Sequence, residues 1–154
     1  MKTVLDVCCG GRMFYFDKRH PAVLFADIRR VEHTLIDGRA LTVAPDVRAD
    51  FTALPFITGK FRVVVFDPPH LRHAGAKCYL ALKYGRLGAD WREQLRRGFA
   101  ECFRVLKRGG LLIFKWCETD IPVAQILALT PHRPLLGQRC GKSAKTHWII
   151  FLKP

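Results

Sequence analysis

Residues Asp67-Pro68-Pro69-His70 follow directly on the apolar run Phe61-Arg62-Val63-Val64-Val65-Phe66, which places a carboxylate at the mouth of a buried strand. The chemistry open to such a group is activation of an amine. An exocyclic amine on a nucleobase is a poor nucleophile because its lone pair is delocalised into the ring. The Asp67 carboxylate and the Pro68 carbonyl can each accept a hydrogen bond from one N–H, turning the nitrogen toward tetrahedral geometry and aiming its lone pair at an electrophilic methyl group. Pro68 and Pro69 both fix φ at about −65°, so the carbonyl is held in place. His70 adds a flat ring for stacking on a flipped base. An acid followed by two prolines is also a good way to stop a strand, and on these four residues alone both readings stand.

The N-terminus adds weight to the chemical reading. Thr3-Val4-Leu5-Asp6-Val7-Cys8-Cys9-Gly10-Gly11 is a strand running into glycines, which let a backbone loop approach a ligand closely. A second strand, Ala22-Val23-Leu24-Phe25-Ala26-Asp27, ends in an acid where a ribose-binding carboxylate belongs in a nucleoside-binding α/β fold. A third, Asp46-Val47-Arg48-Ala49-Asp50-Phe51, ends in an acid beside an aromatic, suited to an adenine amino group and its ring face.

With these elements the chain resembles the class I S-adenosylmethionine-dependent methyltransferases, in particular small bacterial and phage members with Asp-Pro-Pro-His, which are similar to N6-adenine methyltransferases. The resemblance covers nearly the whole chain. It implies a Rossmann-like α/β fold in one minimal domain over residues 1–154, its sheet mostly parallel with an antiparallel C-terminal strand. It implies S-adenosylmethionine as cofactor: Asp6 and the Gly10-Gly11 turn at the methionine end, Asp27 on the ribose hydroxyls, Asp50 and Phe51 on the adenine, with Cys8 and Ile28 completing the cofactor set. Asp67 to His70 would hold the target amine. Two positions depart from the pattern: Cys8 stands where the glycine loop usually has Phe, and Arg12 where it has its last Gly. His70 stands where Tyr, Phe or Trp is more usual. With an ordinary imidazole pKa of about 6.5 it would stack while neutral at pH 8 and lose that role as it protonates.

The chain has 154 residues, 49% of them apolar and 25% charged, as expected of one globular domain with a real core. No run of 18 apolar residues exists, and the first strand begins by Thr3, leaving no room for a signal peptide; the expected location is cytoplasmic. Six cysteines include no C-x-x-C pair, so structural thiols are expected and no metal, although His70, His73 and Cys78 lie close in sequence. The net charge of +13 is uneven: residues 1–60 carry nine Lys plus Arg against seven acids, and residues 61–154 seventeen against six. Such asymmetry points to a polyanion, DNA or RNA, whose phosphates release counterions on binding. A merely cationic soluble surface is the competing account. Membrane binding is not expected, because the basic residues are spread over several elements.

The remaining elements must position these groups. Asp37-Gly38 between β-prone runs signals a two-residue hairpin turn where a helix is the family norm, which thins the helical cover on one face and leaves room for a homodimer or partner subunit. Residues 71–89 form a long irregular segment after the Asp67 motif, with Arg72, Lys77, Lys83 and Arg86 as candidate nucleic-acid contacts; disorder without function is the alternative. A helix follows, with Asp90 and Glu93 as a capping box and Gly109-Gly110 at its end. Trp91, Leu95, Phe99, Cys102, Phe103 and Leu106 share its apolar face, and the opposite basic face is solvated or tracks phosphates. Leu111 to Trp116 is the fifth strand, delivering Lys115 and Trp116 to the ligand side, where Trp116 walls a base pocket or is a core aromatic. Thr119 to Pro122 starts a short helix through Leu129. Leu135–Arg139 and His147–Leu152 pair antiparallel across a basic turn in which Lys142 and Lys145 are candidate phosphate ligands. The activity expected is methyl transfer to an exocyclic nucleobase amine, with adenine N6 in DNA or RNA the favoured target; a protein glutamine amide and a non-catalytic nucleic-acid-binding module are the alternatives.

Overall fold

The computed structural model describes residues 1–35, 37–72 and 85–154. Its strands are β1 (Val4–Asp6), β2 (Val23–Asp27), β3 (Val31–Thr34), β4 (Ala40–Val43), β5 (Val47–Arg48), β6 (Phe61–Phe66), β7 (Leu106–Cys117), β8 (Leu136–Cys140) and β9 (Thr146–Leu152). The described helices are α1 (Trp91–Val105) and α2 (Val123–Leu127). Seven strands form one sheet in the order β5-β2-β1-β6-β7-β9-β8, parallel from β5 to β7, with β9 antiparallel to both of its neighbours. Strands β3 and β4 form a separate antiparallel pair.

The parallel strands are runs of β-branched and aromatic residues because both faces must be covered. On one face α1 supplies the cover: Trp91, Leu95, Phe99, Cys102 and Phe103 are buried against Val64, Phe66, Leu112, Phe114 and Phe151. On the other face no described helix joins β1 to β2; turns over residues 7–22 fold back so that Cys9 and Tyr15 pack on Val23 and Phe25. Further along that face Val63, Leu111, Ile113, Trp148 and Ile150 are only partly buried, in line with the thin cover expected from the sequence. No described helix is long and apolar enough to cross a membrane.

Several local expectations give way to tertiary contacts. The hairpin is wider than a two-residue turn: it closes with the Leu35 N–H donating to the Arg39 carbonyl, and Gly38 takes φ of 80°. The third strand is only Val47–Arg48, because the carboxylate of Asp46 accepts the Phe25 N–H and that of Asp50 folds back onto the Thr52 N–H and hydroxyl. Asp90 precedes α1 without capping it. Its carboxylate accepts from the Gln94 side chain, while Glu93 pairs with Arg96, so no capping box forms. Nor do Gly109-Gly110 end the helix: α1 stops at Val105 and the chain enters β7 at once. The two glycines lie within that strand, at an irregularity in its pairing with β6, where a Cβ on Gly110 would lie 2.8 Å from the Arg62 carbonyl oxygen. The helix α2 stops at Leu127 instead of Leu129, and the C-terminal antiparallel pair forms as expected.

Gly98 sets the closeness of α1 to the sheet. A Cβ there would sit 2.7 Å from Phe51 Cδ2 and 2.8 Å from Phe66 Cζ. Overpacking of this kind costs about 1–3 kcal/mol, against a helix-propensity gain of about 1 kcal/mol. Gly98→Ala should therefore destabilise the fold by on the order of 1 kcal/mol in urea unfolding, where propensity alone would stabilise it.

Candidate active site

Parallel strands bring their C-terminal ends to one edge of the sheet, and there β1, β2, β6 and β7 enclose a cleft of about 280 Å³. At the small end for ligand pockets, it is lined from the predicted set by Cys8, Gly10, Gly11, Asp27, Ile28, Phe51, Asp67, Pro68, Pro69, His70, Arg86 and Lys115.

The glycine loop holds its shape without its last glycine. Gly10 takes φ of 48° and Arg12, in the family's glycine position, takes 56°, a left-handed conformation that costs an ordinary residue roughly 1–2 kcal/mol. Side-chain contacts offset the cost. The Arg12 guanidinium donates to the carbonyls of Lys18 and Ala44 (2.7 Å each), pairs with Asp46 at 3.2 Å and lies 3.9 Å over the Phe25 ring. Asp27, at the end of β2, accepts the Gly10 N–H at 3.0 Å through Oδ2 and the Arg29 N–H at 2.9 Å through Oδ1, and the Arg29 side chain pairs with it at 3.2 Å. Ile28 stays 54% exposed in the cleft, an apolar surface with no cover, and Phe51 faces it from beyond β5.

At the other end, the β6–β7 register sets Phe66 beside Phe114, so the next residues, Asp67 and Lys115, are neighbours. Lys115 Nζ lies 3.6 Å from Asp67 Oδ2, and His70 Nε2 lies 3.6 Å from Oδ1, too far for a hydrogen bond. Among the described residues Oδ1 of Asp67 and Nδ1 of His70 are buried without a hydrogen-bond partner. Burial pushes the Asp67 carboxyl up to about 6, opposed by Lys115. Burial, and then the Lys115 charge, push His70 down to about 4, so the ordinary pKa expected of this imidazole is corrected: it is neutral throughout the physiological range. The His70 ring meets Trp116 edge-on at 5.2 Å.

Other sequence candidates fall outside the cleft. Asp6 is buried beneath the glycine loop, its Oδ1 accepting the Cys8 N–H at 3.2 Å; burial raises its pKa to about 7, with Asp67 and Asp27 adding to the rise. Asp50 is exposed and committed to Thr52. Trp116 is fully buried with its N–H on the Ile121 carbonyl at 2.9 Å, the core-aromatic alternative, and touches the site through His70. The Arg72 N–H donates to Asp120 and its guanidinium lies 5.8 Å from the Trp91 ring. Lys142 and Lys145 are exposed on the β8–β9 turn. Lys77, Lys83, His73 and Cys78 lie outside the described residues. Sequence reasoning missed Arg29, Met13 and Phe14, which line the cleft. A basic residue two places after the Asp27 carboxylate, and an aromatic just past the glycines, were the available signals.

No protein-family model matches the sequence, and no curated protein matches it. Solved structures do. A Methanosarcina mazei SAM-dependent methyltransferase is similar at TM-score 0.59 and 12% identity, over 97% of this chain and 91% of that one. A TehB-like SAM-dependent methyltransferase of Corynebacterium glutamicum is similar at 0.58 and 15%, over 100% and 82%. The fold is that of the S-adenosylmethionine-dependent methyltransferases. The cyclase SpnF shares it too, at TM-score 0.54 and 14% identity over 98% of this chain and 74% of that one, so the fold does not choose the reaction.

The buried carboxyl makes a measurable prediction. With a folded pKa of about 6 against an ordinary 3.8, the native state binds the Asp67 proton more tightly than the unfolded chain does. Its charged form thus costs stability, a cost absent below about pH 4 and fully present above about pH 6. Asp67→Asn should gain on wild type by roughly 2–3 kcal/mol between those limits, read from denaturation at a series of pH values, and Lys115→Met should raise the Asp67 titration seen by carboxyl-carbon NMR.

Proposed function

We propose that this chain transfers a methyl group from S-adenosylmethionine to an exocyclic amino group of a nucleobase, with adenine N6 in DNA or RNA as the favoured target. The observation that carries this reading is the unpartnered, buried Oδ1 of Asp67 in the same cleft as Asp27, Ile28 and Phe51. The donor set fits the cofactor: Asp27 for ribose hydroxyls, Ile28 and Phe51 for the adenine faces, and the Gly10-Gly11 backbone beside them. When bound there, S-adenosylmethionine supplies a methyl carried on a sulfonium.

The chain's own residues do the rest. Asp67 Oδ1 accepts one N–H of the target amine and the rigid Pro68 carbonyl the other, which frees the nitrogen lone pair from the ring. Lys115 fixes the carboxylate from its Oδ2 side and favours its ionised form. Neutral His70 brings no positive charge beside the nitrogen as it becomes cationic. Asp67, already hydrogen-bonded to the amine, would take the proton that the nitrogen surrenders on methylation and pass it to solvent. Support for a nucleic acid over a protein amide comes from the net charge of +13, most of it in residues 61–154.

Labelled S-adenosylmethionine offered with DNA, RNA and protein fractions tests the reading: label on adenine N6 supports it, label in protein moves it to a side-chain amide, and no label from a cofactor-binding wild type overturns it. Asp67→Ala should bind cofactor nearly normally and lose about 10²–10³ in kcat, with Asp67→Asn less affected. Asp27→Ala should weaken cofactor binding by roughly tenfold or more. Wild-type kcat should rise with pH through about 6 as Asp67 ionises, and His70→Phe should leave that limb where it is.

A further inference from the structure

Turns over residues 7–22 replace a helix and leave a patch of unusual composition beside the cleft. Tyr15 turns inward, its ring meeting Phe25 edge-on at 4.8 Å, and the residues around it stay out: Met13 is 61% exposed, Phe14 39% and Phe16 111%. Met13 and Phe14 also line the cleft. Phe14 packs edge-on against Trp148 at 5.0 Å, and Lys115 Nζ, which lies beside Asp67, sits 4.8 Å over the Phe14 ring. Asp17, Lys18 and Arg19 follow, all exposed, with the Asp17 carboxylate accepting the Arg19 N–H at 2.8 Å.

Taking the nucleobase reading above as its premise, we infer that residues 13–19 are a landing platform for single-stranded nucleic acid, on which a base next to the target stacks against Phe16 while Lys18 and Arg19 meet the backbone. Exposed aromatics beside Lys18, Arg19 and Lys115, against the one acid of the segment, Asp17, favour an anionic occupant with flat faces. Protein-docking patches are depleted of lysine at their centres, whereas aromatics interleaved with cations are what single strands require. A single strand is favoured because a duplex keeps the faces of the bases next to a flipped target in the stack, where Phe16 cannot meet them. The platform continues into the cleft through Phe14 and Lys115, so a strand lying on it reaches the Asp67 end first.

Phe16 makes a clean probe, because it is fully exposed and outside the cleft lining. Fluorescence anisotropy would use the full chain with mixed-sequence single-stranded DNA and RNA of about 16 nucleotides, and the matching DNA duplex. Phe16→Ala should bind the single strands roughly tenfold more weakly with an unchanged salt slope, because it loses stacking and not phosphate contact. Phe16→Trp should hold wild-type affinity, and Phe16→Leu should be as weak as alanine. Lys18→Glu with Arg19→Glu should lower the log–log salt slope by about 0.7 per lost contact. Cofactor affinity should be the same in all of them. Unchanged single-strand affinity in Phe16→Ala overturns the platform and leaves the methyltransferase reading standing. Full affinity in Phe16→Leu, or a dimer that Phe16→Ala dissociates, makes the patch a protein interface and overturns it. A wild type that binds no nucleic acid overturns the platform together with the nucleobase substrate.

Discussion

Asp6, Asp27 and Asp67 end three neighbouring parallel strands, β1, β2 and β6, and the sheet therefore gathers three carboxylates at one partly dehydrated edge. Charges so placed are costly unless each is met by donors or cations. The surrounding structure can be read as the answer. Asp27 receives the Gly10 N–H and the Arg29 guanidinium, and Asp67 receives Lys115. Asp6 has the Cys8 N–H, and burial still raises its carboxyl, as it raises that of Asp67. The same compensation shapes the site: Gly10 is tied to β2 through Asp27, so the loop that would face a cofactor is pinned by the residue that would hold its ribose.

Arg12 shows how a departure from a family pattern is absorbed. A glycine is useful at a left-handed position because it has no Cβ, but the requirement is energetic and other contacts can meet it. Two carbonyls, Asp46 and the Phe25 ring all engage the Arg12 side chain, anchoring the loop to β2 and to the segment before β5. The irregular motif therefore gives a loop that is held in place.

Much of this was readable in the chain itself where the signal is local and the physics is one-sided. The strand–glycine and strand–acid junctions at Asp6, Asp27 and Asp67 were visible because apolar runs ending in acids and glycines have few other structural solutions. The α1 face was visible because burial repeats with the helical period. What was missed depends on which of several nearby donors wins a carboxylate, or on partners far along the chain. The Asp50 carboxylate accepts the Thr52 N–H two residues away, a local bond that strand pattern does not reveal. Asp90 and Glu93 have capping-box spacing, but their carboxylates accept from the Gln94 and Arg96 side chains. The charge state of His70 was beyond reach, because it follows from burial against Trp116 and from Lys115 on a strand 45 residues later.

The loss of a helix after β1 has an electrostatic consequence. In nucleoside-binding α/β folds a helix N-terminus at the glycine turn offers free N–H groups and about half a unit of positive charge to an anionic ligand group. Here turns follow Gly11, so no helix dipole acts there and side-chain cations carry more of the task of meeting a carboxylate in the cleft. Arg29 and Arg86 line the same cleft and can do so. A side-chain cation is mobile and already engaged with Asp27 in the case of Arg29, whereas a helix dipole is fixed. Cofactor affinity in this chain should accordingly depend more on ionic strength than a helix-bound site would, since screening weakens a solvent-accessible guanidinium contact more than it weakens buried backbone donors.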